Sequence, residues 1–181
     1  MNRIVEIMKM EKKMGLNHCE IFKNVAGFVG LYQVSNLGRV KNYRTGRILK
    51  PGKDGGGYFV VNFYKNGIVT KHAVHRCVAN GFLENPENKK CVDHINRIKT
   101  DNNLLNLRFA THSQNSMNKN KQSNNTSGHI GVSWDRNAKK WKVQIRVNGK
   151  KKYLGLFDDI SIAIEKRKRA EKKFFKEFQK Q

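Results

Sequence analysis

The chain has 181 residues, with 37 Lys and Arg against 14 Asp and Glu and a formal net charge of +23. Charge this far from neutrality repels itself in the compact state, so it implies a polyanionic partner, nucleic acid before a small-molecule substrate. No apolar run of about 18 residues exists, and MNRIVEIMKMEKKMG lacks the apolar core of a secretory signal, so a soluble, intracellular protein is expected.

The length suits one medium domain or two to three small ones, and with 38% hydrophobic residues one large core is not expected. Cys19, Cys77 and Cys91 are widely separated and form no C-x-x-C pair, which predicts reduced thiols.

Residues 20–73 alternate short apolar runs with Asn-Gly, Gly-Gly and Gly-Arg breakers, a pattern of strands and turns. Within them, Lys65-Asn66-Gly67 between two β-rich runs predicts a hairpin. Ser35, Asn36, Arg39 and Lys41 are candidate phosphate contacts, although Ser35-Asn36-Leu37-Gly38 reads equally well as a plain turn.

Val74 to Phe82 has helical spacing, with Val74, Cys77, Val78 and Phe82 on one face. His75 opens that helix and reads as structural or phosphate-contacting rather than catalytic. After the break at Asn85-Pro86, the stretch CVDHINRIKTDNNLLNLRFATHSQN (91–115) predicts two short strands around an Asn-rich loop. A helix capped by Thr111 then starts near His112. Asp, His and Asn are what a hard-cation phosphodiester site needs: oxygen donors for the cation and an imidazole to take a proton from water.

Residues 119–127, KNKQSNNTS, carry no apolar anchor and read as a linker. From 128, GHIGVSWDRNAKKWKVQIRVNGKKKYLGLF predicts three strands joined by turns at Arg136-Asn137 and Asn148-Gly149. Ser161 is placed to cap a helix from Ile162 to Phe178, with Ile162, Ala163, Ala170, Phe174 and Phe178 against the sheet. Alternation puts Lys142, Gln144 and Arg146 on one strand face and Trp141, Val143, Ile145 and Val147 on the other, which makes Trp141 a core residue. The Lys/Arg run of the helix reads as a solvated face.

VHRCVANGF (74–82) followed by DH, an NN loop and NLRFAT resembles the HNH nucleases of homing-endonuclease type. The resemblance implies a ββα-metal site. His94 would be the base that activates water, Asp93 and Asn115 the ligands of one divalent cation (Mg²⁺ or Mn²⁺), and Asn106 the brace of the loop. His112 competes with Asn115 as a ligand. GLYQVSNLGRVKNY (30–43) resembles the NUMOD-type motif that precedes such nucleases, with Phe22 where that family usually has a tryptophan. The C-terminal pattern S-G-x-x-G-V-x-W, W-x-x-x-I and LG-x-F resembles the APETALA/ethylene-response-type DNA-binding domain. That implies Trp134, Arg136, Lys140, Lys142, Gln144 and Arg146 as DNA contacts, with Trp141 among them on this family reading.

The expectation is an α+β, modular protein. A β-rich NUMOD-like DNA-binding region (1–73) precedes an HNH ββα-metal nuclease (74–118), a linker (119–127) and a three-stranded antiparallel sheet packed on one helix (128–181). Its activity would be site-directed cleavage of double-stranded DNA, with one site per chain, so that nicking by a monomer is the simplest outcome. The alternative is a non-catalytic, sequence-specific DNA-binding regulator that uses the C-terminal module. A ribosomal protein has only the charge in its favour, and a structural zinc finger lacks the His and Cys spacing.

Overall fold

A computed structural model of the chain describes residues 3–15, 19–118, 125–147 and 149–175. It divides into two compact units, Met1–Ala110 and Thr111–Gln181. This division by compactness places the nuclease strands with the N-terminal sheets and α3 with the C-terminal sheet.

In the first unit, helix α1 (Arg3–Lys13) precedes a sheet of β1 (Phe22–Asn24), β2 (Tyr32–Ser35) and β3 (Val40–Asn42). A second sheet holds β4 (Gly52–Lys53), β5 (Phe59–Lys65) and β6 (Ile68–Ala73) in that order. The β5–β6 register pairs Lys65 with Ile68. Only Asn66 and Gly67 are left to turn, both at positive φ (51° and 78°), as the two-residue loop that matches strand twist requires.

Helix α2 (Val74–Phe82) follows, then β7 (Cys91–His94), a 3-10 turn (Leu104–Asn106) and β8 (Leu107–Ala110), which pairs antiparallel with β7. The helix buries Val74, Cys77, Val78 and Phe82 as its spacing predicts, and His75 and Ala79 besides. One apolar cluster joins Met8, Val34, Val61, Phe63, Val74, Val78, Phe82 and Leu104. The NUMOD-like strands and the nuclease helix therefore share a core. Burial pushes the Cys77 thiol up to about 11, away from reactivity, while Cys19 is exposed.

Ser35 and Asn36 are fully buried, so they are not phosphate contacts. The Ser35 hydroxyl accepts from the Leu37 and Arg39 amides, and Asn36 Oδ1 accepts from the Ile21 amide. These are turn-building bonds, and the turn reading of Ser35–Gly38 is the correct one.

The second unit begins with α3 (His112–Met117), which Thr111 caps as expected. Its hydroxyl accepts from the Gln114 amide while the Gln114 side chain accepts from the Thr111 amide, a reciprocal capping box. Strands β9 (Val132–Asp135), β10 (Lys140–Val147) and β11 (Lys150–Phe157) form an antiparallel sheet with β10 central, backed by α4 (Ile160–Phe175). A small core unites Val132, Val143 and Ala163 with Trp141, Leu154, Phe157 and Ile164, so Trp141 packs inward.

Three helix details differ from the expectation. Asp159, not Ser161, closes the N-terminus of α4: its carboxylate accepts from the Ser161 amide and hydroxyl, both at 2.5 Å. Ile162 faces out (54% exposed) and the buried aromatic is Phe175 rather than Phe174. Arg167, read as part of a solvated cationic face, is buried; it donates to the Gln144 carbonyl and pairs with Glu171 at 3.0 Å. Gly131 (φ 76°) lets this happen, since a Cβ there would stand 2.3 Å from the Gln144 carbonyl and 2.8 Å from the guanidinium. The expected placements of Phe178, Asn148 and linker residues 119–124 lie outside the described residues.

Candidate active site

The site is built on the β7–β8 ladder. Asp93 and Arg108 are direct cross-strand partners. Two guanidinium nitrogens, Nε at 2.9 Å and Nη2 at 2.8 Å, donate to Asp93 Oδ2. The aspartate is only 5% exposed, and a carboxylate that deep requires such a charged partner.

His94, at the end of β7, is equally buried. Its Nε2 lies 3.1 Å from Asn102 Oδ1. The ring stands edge-on to His75 at 5.1 Å between centroids and tilted against Tyr58 at 5.8 Å. Tyr58 also contacts His75, at 4.9 Å, and the Lys99 ammonium sits over the Tyr58 ring at 5.0 Å.

His75 is a buried, uncharged member of this cluster. Burial, then the neighbouring His94 and Arg76, push its pKa down to about 4, partly opposed by Asp54. Among the described residues, its Nδ1 is the buried side-chain nitrogen or oxygen left without a hydrogen-bond partner. A phosphate-contacting role for His75 does not survive this burial.

Asn106 spans the Asn-rich loop. Its Oδ1 accepts from the Asn96 amide (2.9 Å), its Nδ2 donates to the Asp101 carbonyl (2.7 Å), and its own carbonyl accepts from the Ile95 amide (2.8 Å). The loop is tightened further by Asn96 Nδ2 donating to Asp101 Oδ2 at 2.7 Å. Asp93, His94 and Asn106 thus belong to one short segment of the first unit. Asn115 lies half-buried in α3 of the second unit, and His112 is exposed on the same helix. Among the described residues no three His, Cys, Asp or Glu side chains converge.

Sequence reasoning missed Arg108, Asn102 and Tyr58. Arg108 is the one with a local signal: once Cys91–His94 and Leu107–Ala110 are paired, it falls opposite Asp93. Tyr58 reaches His94 only through the tertiary fold.

The candidate DNA contacts are scattered. Arg39 is exposed but paired with Glu20 through Nε at 2.8 Å and Nη2, and the Lys41 ammonium sits 3.9 Å from the Phe22 ring centre. On β10 the predicted alternation holds: Val143 and Ile145 are buried, Lys142 and Gln144 half-buried, Arg146 exposed. Lys140 pairs with Asp158 at 3.0 Å and Lys142 with Asp135 at 3.5 Å. Trp134 is 46% exposed and meets Trp141 edge-on at 5.1 Å, while Arg136 is exposed.

Residues 20–64 match the NUMOD4 motif, and residues 72–117 match the HNH endonuclease family. A relative described as an uncharacterised HNH endonuclease of Acanthamoeba polyphaga mimivirus is 46% identical over 87 residues, 46% of this chain and 22% of the relative. The DNA endonuclease I-HmuI of Bacillus phage SP01 is 38% identical over 90 residues, 50% of this chain and 52% of that protein. The chain therefore spans between about a fifth and a half of the curated relatives it matches. A solved structure titled DNA binding and cleavage by the HNH homing endonuclease I-HmuI superposes with a TM-score of 0.50 at 30% identity, covering 74% of this chain and 76% of that one. Neither family match extends past residue 117 into the sheet of the second unit. No helix among the described residues is long and apolar enough to cross a membrane.

Proposed function

This chain belongs to the HNH endonuclease family, and we propose that it is a DNA endonuclease of homing type that hydrolyses one phosphodiester per site with a single divalent cation. The observation that carries this reading is the buried pair of neighbours Asp93 and His94 on one β-ladder, each held by a different partner. Asp93 offers a hard carboxylate donor, and its Arg108 clamp orients it. Asn115, inside the matched stretch, is proposed as the amide-oxygen ligand on motif spacing alone. The chemistry of this donor set fits Mg²⁺ or Mn²⁺. When bound, such a cation supplies positive charge to the phosphate under attack and to the departing 3′-oxygen.

His94 takes the proton from an attacking water, whose oxygen forms the new P–O bond in line with the P–O3′ bond that breaks. Asn106 keeps the loop closed over the ladder so that His94 is presented at a fixed point. Double-stranded DNA is the proposed substrate. The proposed layout keeps the NUMOD-like region, the HNH segment and a C-terminal DNA-binding module of APETALA type. The last rests on the sequence pattern; in the structure that stretch is the β9–β10–β11 sheet backed by α4, with Arg146 and Trp134 exposed.

Incubating purified protein with supercoiled plasmid tests the reading. Relaxed circles should form with Mg²⁺ or Mn²⁺ and not with EDTA. DNA binding with no cleavage under any divalent cation would leave only the regulator alternative.

A further inference from the structure

The turn between β2 and β3 reaches the loop that holds His94. Leu104 donates its amide to the Asn36 carbonyl at 2.8 Å. Gly38, at φ 85°, lies so close to Asn102 that a Cβ on it would stand 2.8 Å from Asn102 Cβ and 3.1 Å from its carbonyl oxygen. The turn is itself rigid: beyond its Ser35 bonds, Asn36 Nδ2 donates to the Cys19 carbonyl at 3.0 Å and approaches Met8 Sδ at 3.4 Å. Asn102 is 4% exposed and thus cannot move aside into solvent.

We infer that Asn102, wedged in place by Gly38 of the β2–β3 turn, is a positioning residue that fixes His94 as its Nε2–H tautomer. An amide oxygen facing a ring nitrogen can only accept, so the 3.1 Å contact forms only when Nε2 carries the proton. The basic lone pair is then on Nδ1, on the other side of the ring. The rings of His75 and Tyr58 also pack against His94, edge-on at 5.1 Å and tilted at 5.8 Å between centroids. On this account the NUMOD4-matched segment is part of the support of the active site as well as a candidate DNA contact.

The rate prediction rests on the nuclease reading; the tautomer prediction does not. Long-range proton–nitrogen correlation spectra of the full-length, ¹⁵N-labelled chain in alkaline buffer should show His94 as the Nε2–H form. Asn102→Leu, which keeps the volume and removes the acceptor, should weaken that preference. Asn102→Asp, whose carboxylate accepts the same proton, should retain it. In plasmid nicking, Asn102→Leu should lower kcat about 10–100-fold, the range for losing a side chain that orients a site imidazole. KM for DNA should stay put, because Asn102 is buried at 4% exposure. Asn102→Asp should restore most of the rate, and Gly38→Ala should slow it as the leucine variant does.

An Nδ1–H tautomer in the unmodified protein would overturn the inference even if no variant folds. So would an Asn102→Leu protein that nicks at the unmodified rate. If the unmodified protein never nicks DNA but shows the Nε2–H form, the proposed activity falls and the role of Asn102 stands.

Discussion

The two units place most of their polar residues in opposite ways, the buried Arg167 and Asn118 of the second apart. In the first, Asn36, His75, Asp93, His94, Asn102 and Asn106 are all buried and mostly bonded to one another or to the backbone. In the second, Arg136 and Arg146 stand in solvent, and Lys140 and Lys142 are paired only with surface carboxylates. Buried polar groups cost free energy unless satisfied, so their concentration in one place marks where geometry is held for chemistry. Exposed cations cost little and act through long-range attraction. The comparison predicts that substitutions in the first unit change rate, and that those on the sheet of the second change affinity.

The largest expected effect is His94→Ala, which should slow cleavage on the order of 10²–10⁴-fold with DNA affinity unchanged, as loss of a general base does. Plasmid relaxation beside a gel-shift titration measures both. A dead His75→Ala with an active His94→Ala would move the base to the wrong histidine for this account.

Next is acid sensitivity of the first unit. His75 is uncharged when folded, with a pKa pushed down to about 4, whereas the unfolded chain titrates near 6.5. The unfolded state therefore binds the extra proton, and stability is complete above about 6.5 and lost as pH falls toward 4. The loss should be on the order of 3 kcal/mol. Denaturant midpoints between these pH values test it, and His75→Phe should flatten the dependence.

Much of this contrast was readable from residues alone. The face of α2, the Asn66-Gly67 hairpin, the Thr111 cap and the inward Trp141 follow from period, turn chemistry and capping, all local rules. What stayed hidden depends on contacts distant in sequence. Ser35 and Asn36 have phosphate-binding side chains, but burial against α1 and the 3-10 turn turns them into scaffold. His75 looked like a lone helical histidine until Tyr58 and His94 were brought to it. Arg167 sat in a run of cations whose solvated reading holds for its neighbours, but it shares the buried face of α4 with Ala163 and Ala170, and the close approach at Gly131 makes room for it.

On the sheet, Arg146→Ala should weaken DNA binding by about 1–3 kcal/mol and alter site preference if it reads a base edge. A uniform weakening with a shallower salt dependence would make it a phosphate contact instead. Smallest of all, Lys140→Ala removes an exposed ion pair with Asp158 and should shift stability by less than about 1 kcal/mol. A larger shift would mean that the second unit depends on its surface charges for folding.

The separation of chemistry from grip is tested most directly by single-turnover cleavage at saturating protein, comparing the unmodified chain with His94→Ala and with a Lys142→Ala/Arg146→Ala double variant. The account predicts a normal rate for the double variant once DNA is saturated, and a collapsed rate for His94→Ala at every concentration. A double variant that stays slow at saturation, or a His94→Ala protein that cuts normally, would contradict it.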